Sequence, residues 1–264
     1  MAKSPTGTSF YLFDFDDNIM FLSTTIFVRN TVTKEEVALS TGDFALVHPQ
    51  LGRPGKWENF AIFDGSYRNF RDLPPEEVKA GRRQHFVEDV AKAVSAEGDG
   101  WQGPAWPVFV YACLNQRPVS IVTARGHSAR TLKAGVQVLL DNGLIPREPN
   151  YESIYPVSNE TVRRRLGDGK LELTTPALKK RAILRIVEDA IAEYGADAEL
   201  RFGMSDDDPA NVALIVRAMT EAKLKYRDKR FFVINTHVDQ KVKLEVFPVD
   251  FSVTGSTLLS APPK

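Results

Sequence analysis

Two acidic clusters are the feature of this sequence with the clearest chemical meaning. Residues 14–18 read DFDDN and residues 205–208 read SDDD, and each cluster follows a short apolar run typical of a buried strand. Three carboxylates in so short a stretch repel one another unless a cation lies between them. Because hard oxygen ligands suit Mg²⁺, the two clusters predict a magnesium site.

A second kind of site is indicated by residues 123–128, which read TARGHS and open a segment with helical periodicity. A hydroxyl group and the free backbone N–H groups of a helix start can bind an anion. The pattern predicts that Thr123, Ala124 and Arg125 contact a phosphate group. For Arg125, an ion pair with a surface carboxylate is an equally good interpretation.

Two adjacent lysines, Lys179 and Lys180, follow a helix start at Thr175 and precede the second acidic cluster. A carboxylate can attack phosphorus and hold the phosphoryl group as an aspartyl phosphate, while a second carboxylate nearby protonates the leaving oxygen. Magnesium offsets the repulsion between the two anions. Acidic clusters, a threonine and a lysine at one edge of a sheet therefore predict phosphoryl transfer.

The elements that would position these residues are five short apolar runs, each continuous rather than alternating. Continuous runs are typical of strands that helices cover on both faces. Segments with helical periodicity fall between the runs, and this alternation predicts an open, mainly parallel α/β sheet whose ligands bind beyond the carboxyl ends of the strands. The runs are 10–13, 119–122, 154–157, 200–204 and 231–234, and the helical segments are 76–95, 128–142, 176–194 and 209–223.

The interval from residue 14 to residue 119 is far longer than the roughly 30 residues of a strand–helix–strand unit. Its first part, 21–75, contains short β-like segments and predicts a small β-rich insertion, whose aromatic residues pack in a core or line a substrate lid. The core domain would comprise 9–20 and 76–252. Residues 241–249 alternate like a hairpin or an edge strand. Tails at 1–8 and 253–264 are rich in Ser, Thr, Gly and Pro and are expected to be flexible.

The composition argues against several functional classes. The chain has 264 residues with 34 basic and 34 acidic side chains, so it lacks the broad basic field of a nucleic-acid-binding protein. A single cysteine provides neither a disulfide framework nor a cysteine-based metal site. No apolar stretch reaches the roughly 18 residues of a membrane span, and no signal peptide is visible. A cytoplasmic location is expected, and the oligomeric state is left open.

These motifs resemble the haloacid dehalogenase (HAD) superfamily. Its pattern is Asp-x-Asp after the first strand, a strand-terminal Thr or Ser, a distal Lys and a late acidic pair, and all four occur here in that order. They cover most of the chain outside the insertion. The resemblance implies a three-layer α/β sandwich with a mainly parallel, five-stranded, Rossmann-like sheet of order 5-4-1-2-3. The insertion would be a small cap.

The resemblance also implies roles for individual residues. Asp14 would be the nucleophile and a metal ligand, and Asp16 would be the general acid/base with its main-chain carbonyl on the metal. Thr123 would hydrogen-bond the transferring phosphoryl group. Lys180 is preferred over Lys179 as the lysine that holds Asp14 and a phosphoryl oxygen.

The late acidic cluster departs from the pattern of the family. Met204 stands where the family usually has an acidic residue, so the metal role moves to Asp206 and Asp207. Asp208 is either an outer acidic residue or a charge at a helix start. Asn18 stands where the family usually has Thr or Val.

The function that the resemblance implies is a Mg²⁺-dependent phosphatase that hydrolyses a phosphomonoester. A phosphomutase or another phosphotransferase is an alternative, and so is a catalytically silent phosphate-binding or regulatory module on the same fold. A dehalogenase would not need Asp16. A silent module is expected to have lost Asp14, Asp16 or the late acidic pair, and all of these are present. The identity of the phosphorylated substrate is left open.

Overall fold

The structure is a computed structural model that describes residues 7–167, 169–237 and 242–248. The strands are β1 (Thr8–Phe13), β2 (Ile26–Asn30), β3 (Glu36–Leu39), β4 (Phe60–Ala61), β5 (Pro118–Thr123), β6 (Asn150–Pro156), β7 (Leu200–Asp206), β8 (Arg230–Asn235) and β9 (Val242–Val246). The helices are α1 (Thr41–Val47), α2 (Pro75–Lys79), α3 (His85–Ser95), α4 (Trp106–Leu114), α5 (Ala129–Asp141), α6 (Glu160–Leu166), α7 (Thr175–Tyr194) and α8 (Pro209–Lys225).

Within the described part of the chain, the main sheet has six strands in the order β6-β5-β1-β7-β8-β9. The first five of these run parallel to one another, and β9 pairs antiparallel with β8 at the edge. The predicted count of five strands is therefore too low by one. The sixth strand lies within 241–249, where charged and apolar residues alternate. It therefore lacks the continuous apolar run that marks the other five strands in the sequence.

Helices cover both faces of the main sheet. Successive side chains of a strand point to opposite faces, so β1 contributes to two cores. Phe10 and Leu12 pack in a core with residues of α7 and α8, whereas Phe13 packs in a core with residues of α3, α4 and α5. Burial on both faces is the reason why these strands appear in the sequence as continuous apolar runs.

The segment between β1 and α2 forms a second, antiparallel sheet in the order β3-β2-β4. A small hydrophobic core of its own consists of Val28, Leu39, Val47 and Trp57. At the end of this segment the chain returns to the main domain, where the carbonyl of Phe70 accepts a hydrogen bond of 2.8 Å from the N–H of Gly126. The insertion therefore contacts the loop that follows β5.

Three of the predicted helical segments correspond to α5, α7 and α8, but the segment 76–95 forms two helices, α2 and α3. Gly81 lies between them with φ of +92°, a backbone conformation that glycine adopts without strain. The helix α4 was not predicted, because its sequence WPVFVYACL is apolar almost throughout and has no polar face. Among the described residues, no helix combines the length and the apolar character needed to cross a lipid bilayer.

The predicted boundaries at the two ends of the chain are only partly within the described residues. The predicted N-terminal tail extended to residue 8, but Thr8 is the first residue of β1 and pairs with Leu200. Residues 1–6 of that tail lie outside the described residues. The C-terminal tail, 253–264, also lies outside them, as do residues 249–252 of the predicted core.

Candidate active site

The two acidic clusters meet at one edge of the main sheet. In the parallel pair of β1 and β7, Phe13 lies opposite Ser205, so the residues that follow them emerge side by side. Carboxylate oxygens of Asp14, Asp206 and Asp207 lie within 4.8 Å of one another. At that separation the three side chains can share one cation.

A buried oxygen without a hydrogen-bond partner tests whether this site fits a metal ion. Oδ1 of Asp14 is buried and accepts no hydrogen bond from the residues that the structure describes; its one close charge partner among them is Nζ of Lys179, in an ion pair at 3.3 Å. Leaving such a group unsatisfied costs on the order of 1–3 kcal/mol, or more when it is charged. A bound cation would remove this cost, and a set of three carboxylates is the donor type that Mg²⁺ prefers. The residues therefore fit a magnesium ion.

Burial and mutual repulsion change the protonation of the acidic cluster. Burial raises the pKa of Asp14 well above its ordinary value, and neighbouring carboxylates, chiefly that of Asp206, add to this while Lys179 opposes it. Burial and then Asp206 raise the pKa of Asp207 to about 7. Burial by itself would lower the pKa of Lys179, but Asp14 and Asp206 outweigh it and raise that pKa. Without metal, Asp14 and Asp207 therefore stay protonated at pH values at which ordinary carboxyl groups are already ionised.

The lysine of the site is Lys179, and the preference for Lys180 is wrong. Nζ of Lys179 lies 3.3 Å from Asp14 and 3.4 Å from Asp206, and its side chain is 3% exposed. Lys180 instead pairs with Glu221 at 2.6 Å, and its side chain is 38% exposed. Successive residues of a helix point about 100° apart, so only one of the two lysines can face the cluster.

The spacing of apolar residues along α7 does not distinguish the two lysines. Lys179 is three, four and seven residues before Ala182, Ile183 and Ile186, which is the spacing of one helical face. Lys180 has the same spacing from Ile183, Leu184 and Val187. Only the folded chain shows that Lys179 is the buried one, and a buried lysine needs carboxylate partners.

The three residues predicted to contact phosphate lie at the end of β5 and directly after it. Thr123 is buried, and its hydroxyl accepts a hydrogen bond of 3.2 Å from the N–H of Arg125. Arg125 is buried as well, and its guanidinium pairs with Asp16 rather than with a surface carboxylate. Its charge is thus matched by Asp16, while Arg125 also lies in the wall of the cleft, and its contact with phosphate stays a prediction. Ala124 lies in the wall of the cleft described below.

A buried asparagine joins the strand ends that carry the acidic residues. The amide of Asn18 donates to the carbonyl of Asp14 at 3.0 Å and to the carbonyl of Ser205 at 3.1 Å. Its own oxygen accepts a hydrogen bond of 2.7 Å from the hydroxyl of Thr236. Asn18 therefore links the ends of β1 and β7 to the residue that follows β8, a role that its departure from the family pattern did not suggest.

Asp208 and Asp207 have separate roles. The side chain of Asp208 accepts a hydrogen bond of 2.8 Å from the N–H of Ala210 and caps the N-terminus of α8. Of the two alternatives for Asp208, the charge at a helix start is therefore correct. Asp207 belongs to the three-carboxylate group.

A cleft of about 660 Å³ lies over the acidic residues, between the main domain and the insertion. The main domain contributes Asp14, Asp16, Lys179, Asp207 and His237 to its walls. The insertion contributes Ile26, Thr41, Ala45, Tyr67, Phe70 and Arg71. Tyr67 and Phe70 thus line the cleft, whereas Phe60 packs against the small core of the insertion, so each of the two interpretations holds for some of the aromatic residues.

Comparisons with protein-family models, with curated proteins and with solved structures found no match for this chain. Membership of the HAD superfamily therefore stays a prediction from the four motifs.

Proposed function

We propose that this protein is a Mg²⁺-dependent phosphatase of the HAD type that hydrolyses a phosphomonoester through an aspartyl phosphate on Asp14. The observation that carries the proposal is the convergence of Asp14, Asp206 and Asp207 within 4.8 Å, beside the buried Lys179. These residues come from three separate parts of the chain. Together they supply a nucleophile, a site for a cation and a fixed positive charge.

In the first half of the reaction, a carboxylate oxygen of Asp14 forms a bond to phosphorus while the bond from phosphorus to the leaving oxygen breaks. Asp16, in its protonated form, gives its proton to that oxygen and is left as the carboxylate that pairs with Arg125. In the second half, Asp16 takes a proton from water, which attacks phosphorus and releases inorganic phosphate and free Asp14. Lys179 offsets the negative charge of the attacking carboxylate and of the phosphoryl oxygens.

The Asp14, Asp206 and Asp207 carboxylates and the main-chain carbonyl of Asp16 would hold Mg²⁺, which when bound neutralises charge on the nucleophile and on the phosphoryl oxygens. The hydroxyl of Thr123 accepts one hydrogen bond from the protein, and in the proposed mechanism it donates its own hydrogen to a phosphoryl oxygen. Ala124, in the cleft wall, offers its backbone N–H.

We assign the main domain to the three-layer HAD sandwich and the insertion, 21–75, to its cap. With the five apolar runs numbered along the chain, the neighbours β8-β7-β1-β5-β6 correspond to an order of 5-4-1-2-3, which supports this assignment. The partner of the protein would be a phosphorylated substrate rather than a nucleic-acid backbone. A cytoplasmic location stays a prediction.

The proposal is tested by phosphate release from p-nitrophenyl phosphate, measured with Mg²⁺ and again with EDTA. We expect turnover with Mg²⁺ and a loss of at least about 100-fold with EDTA, because the cation is needed to bring two anions together. An acid-quenched reaction should show one phosphoryl group on the peptide that contains Asp14 by mass spectrometry.

The other candidate functions have different outcomes in the same experiment. A phosphomutase would pass the label to a second hydroxyl of its substrate instead of to water. A silent module would bind orthophosphate, measured by calorimetry, without any turnover. Failure to release phosphate from aryl, alkyl and acyl phosphates, or equal rates with EDTA and with Mg²⁺, would contradict the proposed phosphatase.

The raised pKa values of the acidic cluster predict how stability depends on pH. Without metal, we expect the melting temperature to fall as pH rises from about 4 to about 7. This fall should be larger than any fall over the same pH range with Mg²⁺. In this range the folded protein holds protons on Asp14 and Asp207 that the unfolded chain has released. The folded state thus binds more protons, and the free energy of unfolding decreases as pH rises. Magnesium binding displaces these protons, so with Mg²⁺ the free energy of unfolding should no longer decrease in this way.

The measurement is thermal unfolding at pH 4.5, 6.0 and 7.5, with EDTA and with Mg²⁺. Asp207→Asn should weaken both the pH dependence with EDTA and the stabilisation by Mg²⁺. Asp208→Asn is the matched control. Asparagine also caps helices, and Asp207, whose pKa is raised to about 7, is kept in this variant. Equal pH dependence of wild-type protein with EDTA and with Mg²⁺ would show that the cluster does not bind the ion.

A further inference from the structure

The carboxylate of Asp16 is held by a buried arginine. Nε of Arg125 donates to Oδ2 of Asp16 at 2.9 Å, and Nη2 donates to Oδ1 at 2.6 Å. The side chain of Arg125 is fully buried, whereas that of Asp16 is 17% exposed and lines the cleft. A two-point contact of this kind fixes the plane of a carboxylate as well as its position.

The guanidinium of Arg125 also contacts two aromatic rings. It lies 4.7 Å from the ring centre of Phe70, at the end of the insertion, and 4.7 Å from that of Phe86 on α3. Phe86 fits at this place because it lies against Gly135 of α5, where a Cβ would clash with the ring. Contact with two aromatic rings restricts the orientation of the guanidinium.

A hydrogen-bonded chain extends from this arginine to the start of the insertion. Nη2 of Arg125 also donates to the hydroxyl of the buried Thr24 at 2.8 Å. That hydroxyl in turn donates to a carboxylate oxygen of Asp89 on α3. Arg125 is therefore in contact with the entry segment of the insertion through Thr24 and with its exit segment through Phe70.

We propose that Arg125 is a positioning residue, and that the chain Asp89–Thr24–Arg125 sets the orientation of Asp16 and couples it to the insertion. The proposal rests on the proposed acid/base role of Asp16. A buried ion pair is weak evidence for stability, because apolar side chains of the same volume often stabilise a fold equally well. The contribution of this pair is the orientation of a carboxylate that faces the cleft.

The test is Thr24→Val, which keeps the shape and burial of the side chain and removes its hydroxyl. For an alkyl phosphate, we expect kcat to fall about tenfold with KM within about twofold, since proton transfer to the leaving oxygen depends on the geometry of Asp16. For p-nitrophenyl phosphate, whose leaving group needs little protonation, kcat should fall less than about threefold. A purely structural defect would lower both rates equally.

Two further variants keep this test decisive. Ser23→Ala is the matched control, since the Ser23 hydroxyl donates to the same Asp89 carboxylate at 3.5 Å, whereas the Arg125 guanidinium donates to Asp16 and Thr24. Both rates should stay unchanged in this variant. Asp89→Asn weakens the same hydrogen-bonded chain from its other end. It should show the same pattern as Thr24→Val, with a larger loss of kcat for the alkyl phosphate than for p-nitrophenyl phosphate. It therefore serves as the test if Thr24→Val does not fold. Equal losses for the two substrates, or no loss, would overturn the proposal.

A measurement without substrate or metal separates this inference from the proposed function. In a double-mutant cycle of Thr24→Val and Asp16→Asn, the two changes in melting temperature should be non-additive by roughly 2 °C or more, because both residues act on Arg125. Additive changes would overturn the coupling even in an active enzyme. Non-additive changes in a protein that hydrolyses no phosphate ester would contradict only the proposed function.

Discussion

Asp14→Asn is expected to lose phosphatase activity by at least about 10⁴-fold while the metal-free protein melts no lower than the wild type. The loss follows because an amide cannot form the phosphoryl intermediate, and removal of a covalent nucleophile has effects of this size. The measurement is phosphate release with Mg²⁺, together with thermal unfolding with EDTA.

The expected stability of Asp14→Asn has a separate physical reason. Burial and the nearby Asp206 raise the pKa of Asp14, which means that its ionised form is disfavoured in the folded protein. Asparagine has the same shape and no charge to desolvate. Lys179 keeps Asp206 as an ion-pair partner at 3.4 Å. Activity and stability should therefore change in opposite directions, as is common for residues of active sites.

Asp141→Asn is the matched control, since it is the same chemical change on the exposed surface of α5. Its activity and its melting temperature should equal those of the wild type. Near-normal activity of Asp14→Asn would refute the aspartyl-phosphate mechanism. A large fall in its metal-free melting temperature would show instead that the Asp14 charge stabilises the fold.

Lys179→Met should both inactivate the protein and destabilise it. Removal of the ammonium group leaves Asp14 and Asp206 as buried carboxylates without their cation, and breaking a buried pair in this way costs about 3–5 kcal/mol. The free energy of unfolding is measured by urea denaturation with EDTA. Magnesium should restore part of the loss because it supplies positive charge to the same carboxylates.

The neighbouring residue provides the control for Lys179→Met. Lys180 forms an exposed ion pair with Glu221, and exposed pairs of this kind contribute at most about 1 kcal/mol. Lys180→Met should therefore keep normal activity and lose little stability. A larger effect at Lys180 than at Lys179 would mean that α7 presents its other face to the acidic cluster.

The convergence of the acidic residues was predictable because it depends on local patterns and on one property of parallel sheets. Continuous apolar runs marked the buried strands, and both clusters directly followed such runs. Parallel strands place their carboxyl ends at the same edge of the sheet, so Asp14, Asp206 and Asp207 had to emerge on one side of the molecule.

The partner of Arg125 was not predictable in the same way. Its hydrogen bonds reach Asp16, which is 109 residues away in the chain, and its guanidinium contacts the rings of Phe70 and Phe86. No local pattern marks these contacts, because they depend on how the insertion and α3 pack on the loop after β5. The same applies to Asn18, whose partners lie on β7 and after β8.

Local patterns along the chain were thus sufficient for the α/β class, for the presence of strands in the insertion and for the position of the acidic clusters at strand ends, because strands and helices bury side chains with fixed periods. The folded chain was required to place Lys179 rather than Lys180 beside Asp14, to pair Arg125 with Asp16 and to make the insertion one wall of the cleft. These features depend on contacts between side chains that are far apart in the sequence, and such contacts are determined by tertiary packing.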